Sequence, residues 1–323
     1  MVAFVIRRMI GLVVVLFAIT VMTFLIFFAT PGVDPSRQLA GRNPDPTTIA
    51  AVRHQFGLDR PLPVRYALMM KRLFISRDLV SYGNTAVKVV PAILAAAPVT
   101  FSLVLGAAFL WVVGSIITGL LMVVFKGTVI DPLLMIVALI GISMPVFWLG
   151  EVANLITQDR LHDTFLFSWV PPLGYVPLTQ DPWQWFLHLI IPWIVLSVLY
   201  IGFYARVLRA NLLEVQSEDY IRTAKAKGLS PRRVLVRHML RTSLITFVSL
   251  FGLDFGVLVG GGALLTEVVF GLPGVGLLTY RSLVSLDLPV IMATVIYGAF
   301  FITIMSALVD ILYARLDPRI RPT

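Results

Sequence analysis

Apolar residues gather in six long runs along the chain, at positions 9–29, 98–125, 133–156, 185–204, 244–269 and 288–312. An α-helix rises about 1.5 Å per residue, so roughly 20 apolar residues carry it across a hydrocarbon layer of about 30 Å. The runs reach that length and are apolar all round, the pattern of a helix whose solvent is lipid. They predict an all-α integral membrane protein with six transmembrane helices. The first run follows Arg7 and Arg8, as the core of a secretory leader would. Its 21 residues exceed the about 7–15 of such a core, and no small-x-small cleavage site follows, so it reads as a retained span.

Two polar interruptions stand out. Within 31–92, "DPTTIAAVRHQFGLDRPLPVRYALMMKRLF" predicts a helix over 46–56, a stop at Gly57, a proline-rich turn and a second amphipathic helix. Asp45 followed by Pro46 has the form of a cap and a first-turn proline. This segment reads as a small structural cap on the outer face, favoured over direct contact with substrate. Pro91 and Pro98 precede the second run and predict an oblique or interfacial helix before the span itself.

The other interruption, 205–243, is strongly basic. On a helix, Tyr220, Ile221 and Ala224 crowd one side, while Arg222 and Lys225 take other faces. Gly228 ends that helix, since glycine adopts the left-handed conformation without steric cost. Ser230–Pro231 then opens a second helix that runs through "RRVLVRHMLRTSL" into the fifth run. The pattern fits a rigid projecting element, and equally an interfacial helix on anionic lipid.

Composition agrees with lipid as the solvent: 58% of residues are hydrophobic and 13% charged. The net charge of +9 would suggest nucleic acid in a soluble protein; here positive-inside bias is the simpler cause. Arg7, Arg8, Lys126, the nine Lys and Arg from Arg206 to Arg241, and Arg315, Arg319 and Arg321 fall on one side. The short loops on the other side hold Arg160 and Arg281. Residues 31–90 carry nine Lys or Arg on that second side, but long segments translocate largely regardless of charge. Both termini are therefore expected in the cytoplasm. The expected organisation is an N-terminal span at 1–30, an extracytoplasmic segment at 31–92, a five-helix core at 93–314 with the basic loop at 205–243, and a cytoplasmic tail at 315–323.

The chain has no cysteine, which excludes disulfides, thiolate metal sites and cysteine nucleophiles. His54, His162, His188 and His238 are scattered without metal-like spacing, and "DRLHD" at 159–163 reads as a solvated loop. No nucleophile–base constellation can be assembled, and "LVGGGALLTE" lacks the lysine of a phosphate-binding loop. Catalysis and ATP binding by this chain are not expected, nor is any metal or cofactor of its own.

"DYIRTAKAKGLSPRRVLVRHMLR", from Asp219 to Arg241, resembles the EAA loop of ABC-importer membrane subunits. It is most similar to type I subunits of peptide importers, where Asp-Tyr, two alanines and Lys-Gly-Leu recur at this spacing, here Asp219, Tyr220, Ala224, Ala226, Lys227, Gly228 and Leu229. "FATPGVDP", "FGLDRPLPVRY", "EVVFGLPGVG", "SLDLPVIMATVIYG" and "LVDILYARLDPRIR" resemble the B-type permease of dipeptide and oligopeptide importers, in order, over nearly the whole chain. The departures are His238 to Arg241, where the pattern usually ends in x-Leu-Pro, and Thr242 and Thr246, where Asn and Pro are common.

The resemblance implies the type I ABC importer permease fold, with residues 219–228 as a coupling helix seated in a separate ATPase subunit. Asp219, Tyr220, Thr223, Ala224, Ala226, Lys227, Gly228 and Leu229 would form that contact, the two alanines allowing close approach. It also implies a second homologous permease, two ATP-binding subunits that hold the ATP and Mg, an extracytoplasmic peptide-binding protein and a peptide cargo. The cofactors would belong to the partner subunits alone. Permeases of this pattern also serve nickel and glutathione.

Charges inside spans are costly and often functional. Asp254, Gly260, Gly261 and Glu267 are the candidates for the translocation path. Asp254 could meet a peptide amine, but an interhelical hydrogen bond is the favoured reading. Glu267 could line an outer vestibule or pair with Arg281. Gly260–Gly262 predict tight packing, a bend, or both, and Pro145 predicts a kink. A proton-coupled carrier using Glu151 and Asp254 is the alternative function. Asp310 reads as an interfacial residue near Arg315.

Overall fold

The computed structural model of the chain describes residues 2–28, 36, 40, 45–55 and 57–316. Residues 29–35 of "FATPGVDP", Phe56, and the tail from 317 with Arg319 and Arg321 lie outside the described residues. The described residues are mostly helical, joined by turns, irregular segments and one isolated bridge between Val80 and Lys88. Among the described residues five helices are long and apolar enough to cross a membrane, or six if one bent pair is counted as a single span.

The chain divides into two compact units. Unit 1 comprises residues 1–100, 256–268 and 273–307. It contains α1 (Val2–Phe28), α2 (Pro46–Gln55) and α3 (Leu62–Met70), whose last turn widens into a π-turn at Lys71–Ile75. Asp45 caps α2 as its position predicted, accepting from the Thr48 amide at 2.7 Å and the Thr47 hydroxyl at 3.0 Å. Those bonds, Thr48's first, hold its carboxyl below the usual carboxylate range.

The segment after α1 is pinned to the start of the last span. Phe24, Phe28, Met69, Leu73, Leu79 and Tyr82 share one core with Val89, Ile93 and Leu288–Ala293. The Phe24 ring stacks on Phe28 at 5.1 Å and meets Tyr66 edge-on at 5.4 Å. Asp287 accepts from the Tyr82 amide at 2.9 Å and from the Ser81 hydroxyl. Burial in this core pushes the Tyr82 phenol up to about 12. The segment thus packs as a cap on its own unit.

The second apolar run lies in one helix, α4 (Val89–Val124), which passes through Pro98 without a break. The expected separate interfacial helix is absent. Pro91 sits in the first turn, where its missing N–H is no loss, and a single interior proline is tolerated where neighbouring packing supports a long apolar helix.

Unit 2 comprises residues 101–255, 269–272 and 308–323. Here the third run is broken. α5 (Ile130–Ser143) and α6 (Val146–Asn154, extended to Arg160) meet at 95°. Met144 is extended at φ −87°, ψ 126°, because a residue before proline is driven out of the helical region. α7 (Pro182–Gln216) is capped by Asp181, which accepts from the amides of Trp183 and Gln184 at 2.9 and 3.0 Å. α7 continues twelve residues past the predicted run end at 204, since Leu208 and Leu212, one turn apart, are both fully buried.

α5 packs along α7 through small residues: a Cβ on Gly202 would strike the Ala138 carbonyl, and one on Gly141 would reach Val198 at 3.2 Å. Trp111 fills the adjoining core, stacked on Tyr200 at 4.5 Å and tilted against Phe251 at 5.0 Å.

Candidate functional site

The basic interruption folds as a short helix, α8 (Asp219–Ala226), followed by α9 (Pro231–Gly262). Glu218 is extended at ψ 145° and ends the preceding helix; Asp219 in the first turn of α8 complements its positive end. α8 rests against the π-turn Val234–Met239 of α9 and the end of α7. Ile221 is fully buried and Ala224 is 7% exposed, so these two are the inward face. Asp219, Arg222, Thr223, Lys225, Ala226 and Lys227 are exposed, and Leu229 is half-buried.

Tyr220 departs from the expected apolar side: its ring is 44% exposed and only its hydroxyl is tethered, donating to Thr242 Oγ1 at 3.2 Å. Ala224 lies on the buried side as expected, packed against its own chain, whereas Ala226 is exposed. The Thr223 hydroxyl donates to the Asp219 carbonyl at 2.9 Å, inside the helix. Asp219 and Arg222 form a 3.3 Å pair with 96% and 72% of their side chains exposed, which contributes little.

Gly228 closes α8 at φ +76°. A Cβ there would meet no atom within 4 Å, so the requirement is conformational alone. The Leu229 amide donates back to the Ala224 carbonyl at 3.3 Å and the Gly228 amide to Lys225 at 2.9 Å, satisfying the helix end. Pro231 opens α9 as predicted, but the Ser230 side chain makes no cap. Beside α8 lies a polar cleft of about 440 Å³ lined by Asn211, Glu214, Glu218, Tyr220, Thr242 and Thr246.

The second candidate group divides. Asp254 accepts from the Tyr204 hydroxyl at 2.6 Å, the interhelical bond favoured for it. Gly260 packs against Gly298, whose carbonyl a Cβ would meet at 2.9 Å, and Gly261 breaks the helix at φ +112°. Packing and bend therefore coincide. Glu267, in α10 (Leu264–Val269), is fully buried and does not line a vestibule. Its carboxylate accepts from the Thr100 hydroxyl at 2.6 Å and the Leu277 amide at 2.9 Å, and not from Arg281. Thr100 in turn accepts from the Val275 amide at 2.9 Å. The two side chains thereby satisfy the N-terminus of α11 (Val275–Val284), where donors outnumber backbone partners. Glu151 is exposed.

With this geometry in view, the relatives are informative. The profile of the family described as "Binding-protein-dependent transport system inner membrane component" matches residues 112–322. That of "Binding-prot-dependent transport system membrane comp, N-term" matches residues 1–104. The chain belongs to the binding-protein-dependent transport system inner membrane components. It is 35% identical to a putative peptide transport system permease protein of Brucella abortus (strain 2308), over 99% of each chain. It is 33% identical to the glutathione transport system permease protein GsiC of Escherichia coli O6:H1, again over 99% of each. Among solved structures it is similar to the inward-facing MetNI methionine ABC transporter in its CY5 native crystal form: TM-score 0.49, 17% identity, 70% of this chain and 95% of that one.

As an inner membrane component, the chain is a multi-pass helical permease of the ABC importer class. Sequence reasoning overlooked one feature of this permease. Arg209 on α7 grips Asp131 at the start of α5 with two bonds of 2.9 and 2.7 Å, the side chains 22% and 11% exposed. Arg209 counted only as an orienting charge. The signal was Asp131 itself, an acid opening an apolar run, which calls for a cationic partner.

Proposed function

We propose that this permease is one of two membrane subunits of an ATP-driven importer of di- and oligopeptides, with α8 as the helix that couples it to a separate ATPase. The observation that carries the reading is the division of α8 into a buried face (Ile221, Ala224) and an exposed one (Asp219, Tyr220, Thr223, Ala226, Lys227), ended by the left-handed Gly228. A short helix held by its own chain on one side presents a fixed shape on the other. Movement of an attached motor then passes through the π-turn into α9 and through the end of α7. Peptide as cargo is supported by relatives named for peptide and glutathione transport.

In this reading α8 and both termini are cytoplasmic, in line with the basic residues at 206–241. ATP and Mg are held by two ATPase subunits and not by this chain. An extracytoplasmic binding protein delivers cargo, and a second, related permease completes the passage. Nucleotide closure of the motor biases a two-state bundle, a ligand effect exerted from another chain.

The test is reconstitution of this permease with a second permease, ATPase subunits and a binding protein from the same organism. Peptide uptake should require ATP and the binding protein, and should persist when the proton gradient is collapsed. Uptake by this permease without ATPase subunits, driven by a proton gradient, would overturn the reading. So would undiminished uptake after removal of residues 219–228.

A further inference from the structure

Unit 1 carries an open apolar cleft of about 570 Å³ that the transport reading does not use. Its walls are α1, the first turns of α4, and the last long helix, α12 (Leu288–Leu316), marked by Leu16, Leu94 and Phe300; Leu73, Phe74 and Arg77 close one end. These three helices are each long and apolar enough to span the bilayer. Apart from Thr20, Tyr297 and Arg77 the recess is lined by apolar side chains, and such a surface between membrane-spanning helices faces hydrocarbon.

The dimensions suit a lipid of one leaflet. Leu94 lies in the second turn of α4, and Phe300 lies twelve residues beyond the start of α12 at Leu288, roughly 18 Å of helix. Half of a hydrocarbon core of about 30 Å is about 15 Å. The cleft therefore runs from the level of the helix ends to about the bilayer midplane.

Its outer end is built differently from its walls. Phe74 and Ile75 are 56% and 75% exposed, beside the exposed Lys71 and Arg77. Apolar side chains next to cations are the composition of a membrane interface. Residues 71–88 contain Lys71, Arg72, Arg77 and Lys88 against a single acid, Asp78, whose carboxylate accepts from the Ser76 hydroxyl at 2.6 Å. Arg77 is also held at φ +55°, a backbone conformation uncommon outside glycine. A costly backbone at a charged rim is the type of outlier from which function is inferred.

We propose that this cleft binds an anionic phospholipid, one acyl chain lying along Leu94, Leu16 and Phe300 and the phosphate paired with Arg77, with Lys71 nearby. The guanidinium is matched by a phosphate, and the recess below it by hydrocarbon. The apolar flank of a partner permease helix would match the recess and leave the rim charge unanswered. The proposal rests on the helices spanning the membrane and not on the identity of the cargo.

The chain has no cysteine, so Leu94→Cys creates a single thiol at a side chain that is 62% exposed. The assembled transporter carrying this change is labelled with bimane and placed in phosphatidylcholine nanodiscs containing a small fraction of brominated phosphatidylglycerol or brominated phosphatidylcholine. The expected result is several-fold stronger quenching by the brominated phosphatidylglycerol. Arg77→Gln should bring the ratio to one with the melting temperature unchanged, and Arg77→Lys should keep most of it. Equal quenching by both lipids in the unsubstituted background overturns the proposal. Quenching by neither lipid also overturns it, and assigns the cleft to a helix of the partner permease.

Discussion

At Gly228 an added Cβ would meet no atom within 4 Å, whereas at Gly274 it would run into the Glu267 carboxylate. The two glycines belong to two short connections, 219–230 between two long helices and 267–277 between the short helices α10 and α11. In the first, two side chains hold a helix against its own chain and the remainder faces outward; the left-handed backbone of Gly228 sets the angle. In the second, a buried carboxylate and the Thr100 hydroxyl satisfy a helix N-terminus, and Gly274 and Gly276 make room for them. One glycine is there for its conformation and the other for its volume. A turn with an open outer face is constrained where it bends; a turn that is buried is constrained where it packs.

Substitutions can break that contrast, beginning with the packed turn. Gly274→Val should cost about 3 kcal/mol through overpacking, read as a lowered melting temperature in detergent. Glu267→Leu should cost about 1–3 kcal/mol for each donor it leaves unpaired, whereas Glu267→Gln should cost less. If both Gly274→Val and Glu267→Leu were neutral, the carboxylate would not be what holds the turn.

The Arg209–Asp131 pair comes next. Breaking a fully buried pair costs about 3–5 kcal/mol; with both groups partly exposed here, Asp131→Ala should cost about 2–3 kcal/mol. The double variant with Arg209→Met should recover part of that loss in the same thermal assay.

At the exposed connection the stability effect should be smaller and the functional effect larger. Gly228→Val should cost about 1–2 kcal/mol, since a β-branched residue is strained at positive φ. Membrane insertion should survive while ATP-driven uptake falls about tenfold or more, within the range of coupling energies between sites. Gly228→Asn, which tolerates that conformation, should retain most uptake. The smallest effect is expected for Asp219→Ala, with no measurable change in melting temperature because its pair with Arg222 is surface-exposed.

What could be read without coordinates follows from how local each cause is. The apolar runs, the Asp45 cap, the stop at Gly228, the kink at Pro145 and the bend at Gly261 each depend on a few neighbouring residues, and each is in the structure. Pro98 also carries a local signal, but packing along a long helix overrides it. The extension of α7 beyond 204 was hidden because Leu208 and Leu212 sit among charges, and only their burial shows that they face a core. Inside the candidate coupling element, periodicity placed Ile221 and Ala224 inward but misplaced Tyr220, which lies at the edge of that face and whose hydroxyl reaches Thr242. The Arg209–Asp131 and Glu267–Thr100 pairs span 78 and 167 residues, and no local pattern encodes the register that joins them.

The right-angled break at Met144–Pro145 bears on the surrounding bilayer. α5 has 14 residues, a reach of about 21 Å, short of a hydrocarbon core of about 30 Å. Its continuation turns sideways and carries Asn154, Thr157 and Gln158 with it. Asn154 and Gln158 donate to the carbonyls of Val269 and Pro171 and Thr157 is buried, so the polar end of the pair is answered within the protein, and the part left to meet lipid is an apolar limb too short to cross it alone.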